Sequence, residues 1–154
     1  MKVLFIPLEF LRWQQARSMA YTAQLAVEEG LRHHGVEVVT LPAWGEVPSA
    51  SAKSWLSRAK GLLAGQEFDQ VWVTLVHSPF EEEFLSWLKT VAPVRIGLVM
   101  ESLNYTEQEC QLHPPFRERR AFVEGQVQAL THVLTVDERD AEQLGDEAEG
   151  AVVA

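Results

Sequence analysis

A Rossmann-like, doubly wound α/β domain is the fold class this sequence predicts. Three observations lead there. Short apolar runs rich in β-formers recur along the chain. Amphipathic segments at helical spacing separate them. Several of the runs lack polar alternation. Strands buried on both faces by helices have that continuous character. Right-handed crossovers then make a mostly parallel sheet the economical topology. The expected spatial order is 3-2-1-4-5, with a possible sixth strand beside the fifth and helices on both faces.

The first strand is Val3–Ile6, followed by a loop from Pro7 to about Trp13. Ala16, Met19, Ala20, Ala23, Ala26, Val27 and Leu31 then fall at helical spacing, and Gly35 is placed to stop that helix. Gly30 sits inside the pattern and is expected to allow a close helix–sheet contact. Val36–Leu41 is the second strand, and 42–51 is a loop punctuated by Pro, Gly and Ser. Trp55, Leu56, Ala59, Leu62 and Leu63 define the next helix, closed by Gly65, and Val71–Val76 is the third strand.

The following helix start carries several concordant signals. Ser78 caps it, Pro79 suits the first helical position, and Glu81 completes a Ser-x-x-Glu box. Glu82 and Glu83 favour the positive helix end. Phe84, Leu85, Leu88 and Val91 form its buried stripe, and Val94–Met100 is the fourth strand. A polar loop spans Glu101 to His113. Pro114 and Pro115 open a helix with Phe116, Val123, Val127 and Leu130 on one face. His132–Val136 is the fifth strand. Asp137 caps a short helix expected to end at Gly145, and Ala151–Ala154 reads as the start of a sixth strand.

With 154 residues, 47% of them hydrophobic and 23% charged, the chain suits one domain with a real core. A net charge of −9 argues against a general nucleic-acid binder and against broad attraction to anionic lipid. The lone cysteine, Cys110, allows no internal disulfide, which points to a reducing, cytoplasmic setting. No apolar run reaches the roughly 20 residues needed to span a bilayer. Dinucleotide, P-loop, zinc and nucleophile-elbow motifs are all absent.

Ligands of open parallel sheets collect beyond the carboxyl ends of the strands, where the winding reverses. Four segments should converge there: Pro7–Trp13, His77-Ser78, Glu101–Tyr105 and Asp137-Glu138. Glu101 directly follows the fourth strand and could accept a proton or bind a hydroxyl. A solvated loop acid is the plainer reading. His77 could serve as a base near neutral pH; it is also consistent with a satisfied rim histidine. Asp137 is fully explained as a cap. His33 and His34 point to different sides of a helix end, which makes them a poor metal pair. Arg117, Arg119 and Arg120 form a basic cluster that could meet an anion, or a solvated helix face paired with Glu118 or Glu124. Trp13, Trp44 and Tyr105 lie in or beside loops, where aromatics stack on ligands or cover the core edge.

The opening Lys2-Val3-Leu4-Phe5-Ile6-Pro7, the long helix, and then His34-Gly35-Val36-Glu37-Val38 resemble the start of many GT-B glycosyltransferases. Thr131-His132-Val133-Leu134-Thr135-Val136-Asp137, with the helical segment from Arg117 to Leu130 before it, resembles a later strand and turn of the same family. The resemblance runs in order over nearly the whole chain. It departs from the family after the first strand, where Pro7–Trp13 stands in place of a glycine-rich loop.

The resemblance implies the N-terminal, acceptor-side domain of a two-domain enzyme of the group 1, family 4-like kind. The donor, a nucleotide sugar, is then held by a C-terminal domain absent from this chain, so transfer by the chain alone is not expected. On this reading Glu101 and His77 are the candidate catalytic residues. Glu9, Arg12, Trp13, Asn104 and Tyr105 are the candidates for binding a sugar or lipid-linked acceptor. No cofactor and no metal are expected in the domain itself. The alternatives are a free-standing small-molecule or nucleotide-binding module and a non-catalytic subunit-pairing domain.

Overall fold

A computed structural model describes residues 1–7, 22–41, 52–75, 82–147 and 152–153. The strands are β1 (Lys2–Ile6), β2 (Glu37–Thr40), β3 (Gln70–Thr74), β4 (Val94–Val99), β5 (His132–Thr135) and β6 (Val152–Val153). The helices are α1 (Thr22–His33), α2 (Ala52–Leu62), α3 (Glu82–Val91), α4 (Glu107–Leu112), α5 (Pro115–Val127) and α6 (Glu138–Glu147). Every strand pairing is parallel, so the α/β class and the doubly wound sheet are as expected.

The strand order is β2-β1-β3-β4-β5-β6, which corrects the expected 3-2-1-4-5. β6 does lie beside β5. Burial gives the physical reason for the correction. β2 reads Glu-Val-Val-Thr, with Glu37 exposed and the other three residues only half-buried, which suits a sheet edge. β3 carries Val71 and Val73 at 0% exposure and takes the interior place against β1. The winding therefore reverses between β1 and β3, as in the other common doubly wound order.

Register divides the sheet into two faces. Leu4, Ile6, Val71, Val73, Val99 and Val133 share one face and form the main core. Trp55, Leu56 and Ala59 of α2 reach that core, as do Phe84 and Leu88 of α3, Val123 and Val127 of α5, and Leu144 of α6. Each fully buried aliphatic or aromatic side chain contributes roughly 1.5–3 kcal/mol. Val3 and Phe5 point to the opposite face. Right-handed crossover places α1 there, because only the step from β1 to β2 runs toward that edge.

Gly97 of β4 lies under Leu75 and Leu130. A Cβ there would stand 2.6 Å from Leu75 Cδ1 and 2.5 Å from Leu130 Cδ1. Arg95, on the same strand, donates from Nε to the Ala129 carbonyl at 2.7 Å and from Nη1 to the Ala92 carbonyl at 3.3 Å. It thereby ties together the chain ends that enter β4 and β5.

Several local expectations hold. Gly35 adopts φ 74°; its N–H bonds the Arg32 carbonyl and that of Val36 bonds Leu31, the paired C-terminal bonds of a Schellman motif. Gly65 follows α2 at φ 76°. Pro114 and Pro115 open α5.

Other expectations need correction. Gly30 makes no close approach among the described residues, of which none lies within 4 Å of a Cβ built there. Helix α6 runs through Gly145 rather than ending before it, and Gly145 shows no positive φ. A glycine costs a helix about 1 kcal/mol without breaking it. The segment expected as loop to His113 contains α4. Its capping box joins Thr106 and Glu109, with the Glu109 N–H on Thr106 Oγ1 at 3.2 Å and the Thr106 N–H on Glu109 Oε2 at 2.7 Å. The Ser78, Pro79 and Glu81 start signals lie outside the described residues.

Candidate functional site

Parallel strands bring their carboxyl ends to one side of the sheet. The segments leaving β1 and β3 at the reversal, 8–21 and 76–81, are not among the described residues. Glu9, Arg12, Trp13 and His77 therefore lie outside them. Glu101, Asn104 and Tyr105 are described, and all three stand on the segment between β4 and α4.

The sequence of that segment alternates anchors and polar groups. Val99 at 0% exposure, the last residue of β4, and Leu103 at 2%, in the middle of the segment, hold it to the core. Glu101, Ser102, Asn104 and Tyr105 are half-buried, and Thr106 is exposed. Burying Leu103 takes its N–H out of water, so that group requires an acceptor. Asp140 Oδ2 of α6 supplies one at 2.7 Å. The other Asp140 oxygen accepts from Asn104 Nδ2 at 2.7 Å and from Arg120 Nη2 at 3.4 Å. Ser102 Oγ donates to Asp137 Oδ2 at 2.6 Å and accepts the Asn104 N–H at 3.1 Å.

Glu101 meets α5. Its Oε1 accepts from Arg119 Nη1 at 2.7 Å and from the Tyr105 hydroxyl at 3.2 Å. Arg119 Nη1 also donates to the Tyr105 oxygen at 3.1 Å, which closes a triangle. The Tyr105 ring stacks on Phe116 with centroids 4.2 Å apart and planes at 20°. The Arg119 guanidinium stands 4.6 Å from the Phe116 centroid, close enough for a cation–π attraction. Burial raises the Tyr105 hydroxyl above the usual phenol range. The Arg119 hydrogen bond pulls it down, and the Glu101 charge pushes it up.

Asp137 caps α6: its Oδ1 accepts the Arg139 N–H at 2.9 Å. The Arg139 side chain holds its carboxyl well below the usual carboxylate range, followed by the Ser102 hydroxyl and the Arg139 backbone N–H. The three arginines of α5 do not form one anion site. Arg117 pairs with Glu107, Arg119 with Glu101, and Arg120 with Glu124 at 3.1 Å and with Asp140. His33 and His34 meet edge to face at 5.5 Å. Among the described residues, no three His, Cys, Asp or Glu side chains converge as a metal site. No helix of the described residues is long and apolar enough to cross a membrane.

The structure thus brings Glu101 and Tyr105 together and sets Asn104 beside them through Asp140. Sequence reasoning missed the contributions of Phe116 and Asp140 to this rim, and noted Arg119 only as part of a charge cluster. One signal was available for Asp140. It stands four residues before Leu144, so a carboxylate occupies the apolar stripe of its helix.

Side-chain exposure separates the roles. Glu101 is 39% exposed and can meet a ligand, whereas the Asp140 side chain is at 0% and cannot. A carboxylate, a guanidinium and a phenol hydroxyl in mutual contact can bind hydroxyl groups, and the carboxylate can accept a proton.

No family model matches the chain, and no curated protein matches it. Among solved structures, a conserved protein from Enterococcus faecalis V583 is similar at 13% sequence identity. The match covers 94% of this chain and 97% of that one, with a TM-score of 0.45.

Proposed function

We propose that this domain binds an acceptor at the carboxyl rim of its sheet, as the acceptor-side half of a nucleotide-sugar-dependent glycosyltransferase. The observation that carries the reading is the Glu101–Arg119–Tyr105 triangle just past the end of β4. It sets a solvent-reachable carboxylate on the carboxyl rim, one strand from the β1/β3 reversal at which ligands of parallel sheets bind. The order of elements and the GT-B-like stretches at both ends of the chain support the same reading. On it, Glu101 orients an acceptor hydroxyl or takes its proton, and Asn104 and Tyr105 add hydrogen bonds. His77, Glu9, Arg12 and Trp13 are the candidates on the segments leaving β3 and β1. The nucleotide-sugar donor belongs to a partner C-terminal domain, and the single cysteine fits a cytoplasmic setting.

The test is transfer from nucleotide sugars by the chain alone and by the chain joined to a donor-binding domain. Transfer is expected only from the joined form, and Glu101→Gln should lower its turnover more than its stability. Turnover by the 154-residue chain alone would reject the reading. An unaffected Glu101→Gln enzyme would reject only the role of that residue.

One observation favours a second reading, a free-standing nucleotide or small-molecule module. The winding reverses at β1/β3, where such modules hold their ligand. Micromolar binding of a free nucleotide by the chain alone would select it.

A further inference from the structure

A fully buried carboxylate calls for an explanation beyond stability. Removing a charged group from water costs several kcal/mol, and apolar residues of similar volume often serve a core as well or better. Asp140 shares its helix stripe with Leu144, which is 1% exposed. A leucine at 140 would extend that stripe. What a leucine cannot supply is two directed acceptors, and both Asp140 oxygens are used. Oδ2 takes the Leu103 N–H, and Oδ1 takes Asn104 Nδ2 and Arg120 Nη2.

These donors come from two places. Leu103 and Asn104 belong to the segment after β4, and Arg120 belongs to α5. Arg120 is itself held by Glu124 Oε1 at 3.1 Å. The neighbouring residue, Arg119, grips Glu101 and Tyr105. One carboxylate on α6 therefore bonds the segment and also the helix that grips it.

We propose that Asp140 is a positioning residue, holding the segment between β4 and α4 so that Glu101, Asn104 and Tyr105 stand as one preformed binding edge. The proposal rests on the reading that this rim meets the ligand. The positioning itself can be tested without any ligand. Held side chains supported by a second layer of hydrogen bonds are what a preorganised site requires.

The Tyr105–Phe116 stack supplies the readout, because ring currents at 4.2 Å displace the Tyr105 ring proton signals. Asp140→Asn keeps the shape but offers one acceptor where Leu103 and Asn104 need two. Leu144→Ala, on the same helix and also buried, is the control for destabilisation alone. Both variants are compared with the wild type by NMR at temperatures well below their unfolding midpoints.

The expected result is loss of the ring-current displacement at Tyr105 in Asp140→Asn, with the rest of the spectrum preserved. Leu144→Ala should retain the displacement although its melting point falls. Asn104→Ala, which removes one donor at a half-buried site, should give a partial loss. An unchanged Tyr105 signal in Asp140→Asn would overturn the proposal. Equal loss in Leu144→Ala would also overturn it, by reducing Asp140 to a stability role. Neither result touches the glycosyltransferase reading, which stands or falls on transfer assays.

Discussion

Gly97→Ala is the substitution whose cost can be worked most directly from the coordinates. The added methyl would stand 2.5 Å from Leu130 Cδ1, 2.6 Å from Leu75 Cδ1 and 3.1 Å from Leu75 Cγ. Both leucines are buried, at 6% and 1% exposure, so neither has open space to turn into. Forcing each off its preferred rotamer costs about 0.5–1.5 kcal/mol, or about 1–3 kcal/mol together. Alanine also restricts the unfolded chain, which returns about 0.4–1 kcal/mol. The difference spans about 0–2.6 kcal/mol, and its centre is a loss of about 1–2 kcal/mol. Urea denaturation should show it as a lower midpoint at unchanged slope. In a thermal scan the midpoint should fall by about 2–8 °C. A raised midpoint would refute the close packing of Leu75 and Leu130 over β4.

Gly125→Ala should have the opposite sign. That glycine is exposed within α5 with nothing within 4 Å of a Cβ, so thermal unfolding should show a gain of about 0.4–1 kcal/mol. Tyr105 should titrate above the ordinary phenol value of about 10 when followed by NMR. Glu101→Gln should lower that midpoint and Arg119→Gln should raise it further; a reversed pair of shifts would contradict the triangle. Asp137 has a folded value below its unfolded one. Its contribution is therefore fully present above the ordinary carboxylate value of about 4 and is lost as pH falls through the folded value. The stability gap between wild type and Asp137→Asn should accordingly be open at neutral pH and close in acid.

Most elements could be read from the chain because each depends on its own local pattern. Continuous apolar runs such as Val71-Trp72-Val73 have no stable place except a covered strand, and Gly35 and Gly65 mark ends where the backbone turns left-handed. Strand order depends on which strands tolerate an edge. The cue to it is weaker, the polar ends of Glu37–Thr40. Helix α4 was missed because its six residues carry no apolar periodicity, although the Thr106-x-x-Glu109 capping box was legible. At the site, Glu101 could be placed because strand exits are predictable. Its partner Arg119, and the Asp140 that bonds the neighbouring Leu103 and Asn104, could not, because they meet this segment only when α5 and α6 pack together. Asp140 in the apolar stripe of α6 marks a buried carboxylate but not its partners.

The corrected strand order bears on which carboxylate a ligand would meet. Deleting the outermost strand from the expected 3-2-1-4-5 arrangement and renumbering the rest yields the beginning of the observed sheet, β2-β1-β3-β4. The reversal therefore remains against β1 in both arrangements, and the crevice it creates stays at the same strand. What changes is the neighbour: β3 now closes the crevice, with β4 next and β5 beyond it. Adjacent strands lie about 4.8 Å apart. A ligand seated over β3 at the crevice therefore has the exit of β4, and Glu101, about one spacing to its side. The exit of β5, and Asp137, is about two spacings away. Asp137 is in addition occupied by its own helix and by Ser102. Glu101 is held too, by Arg119 and Tyr105. On the proposed reading, distance therefore makes Glu101 the nearer carboxylate to the ligand and Asp137 the more remote one.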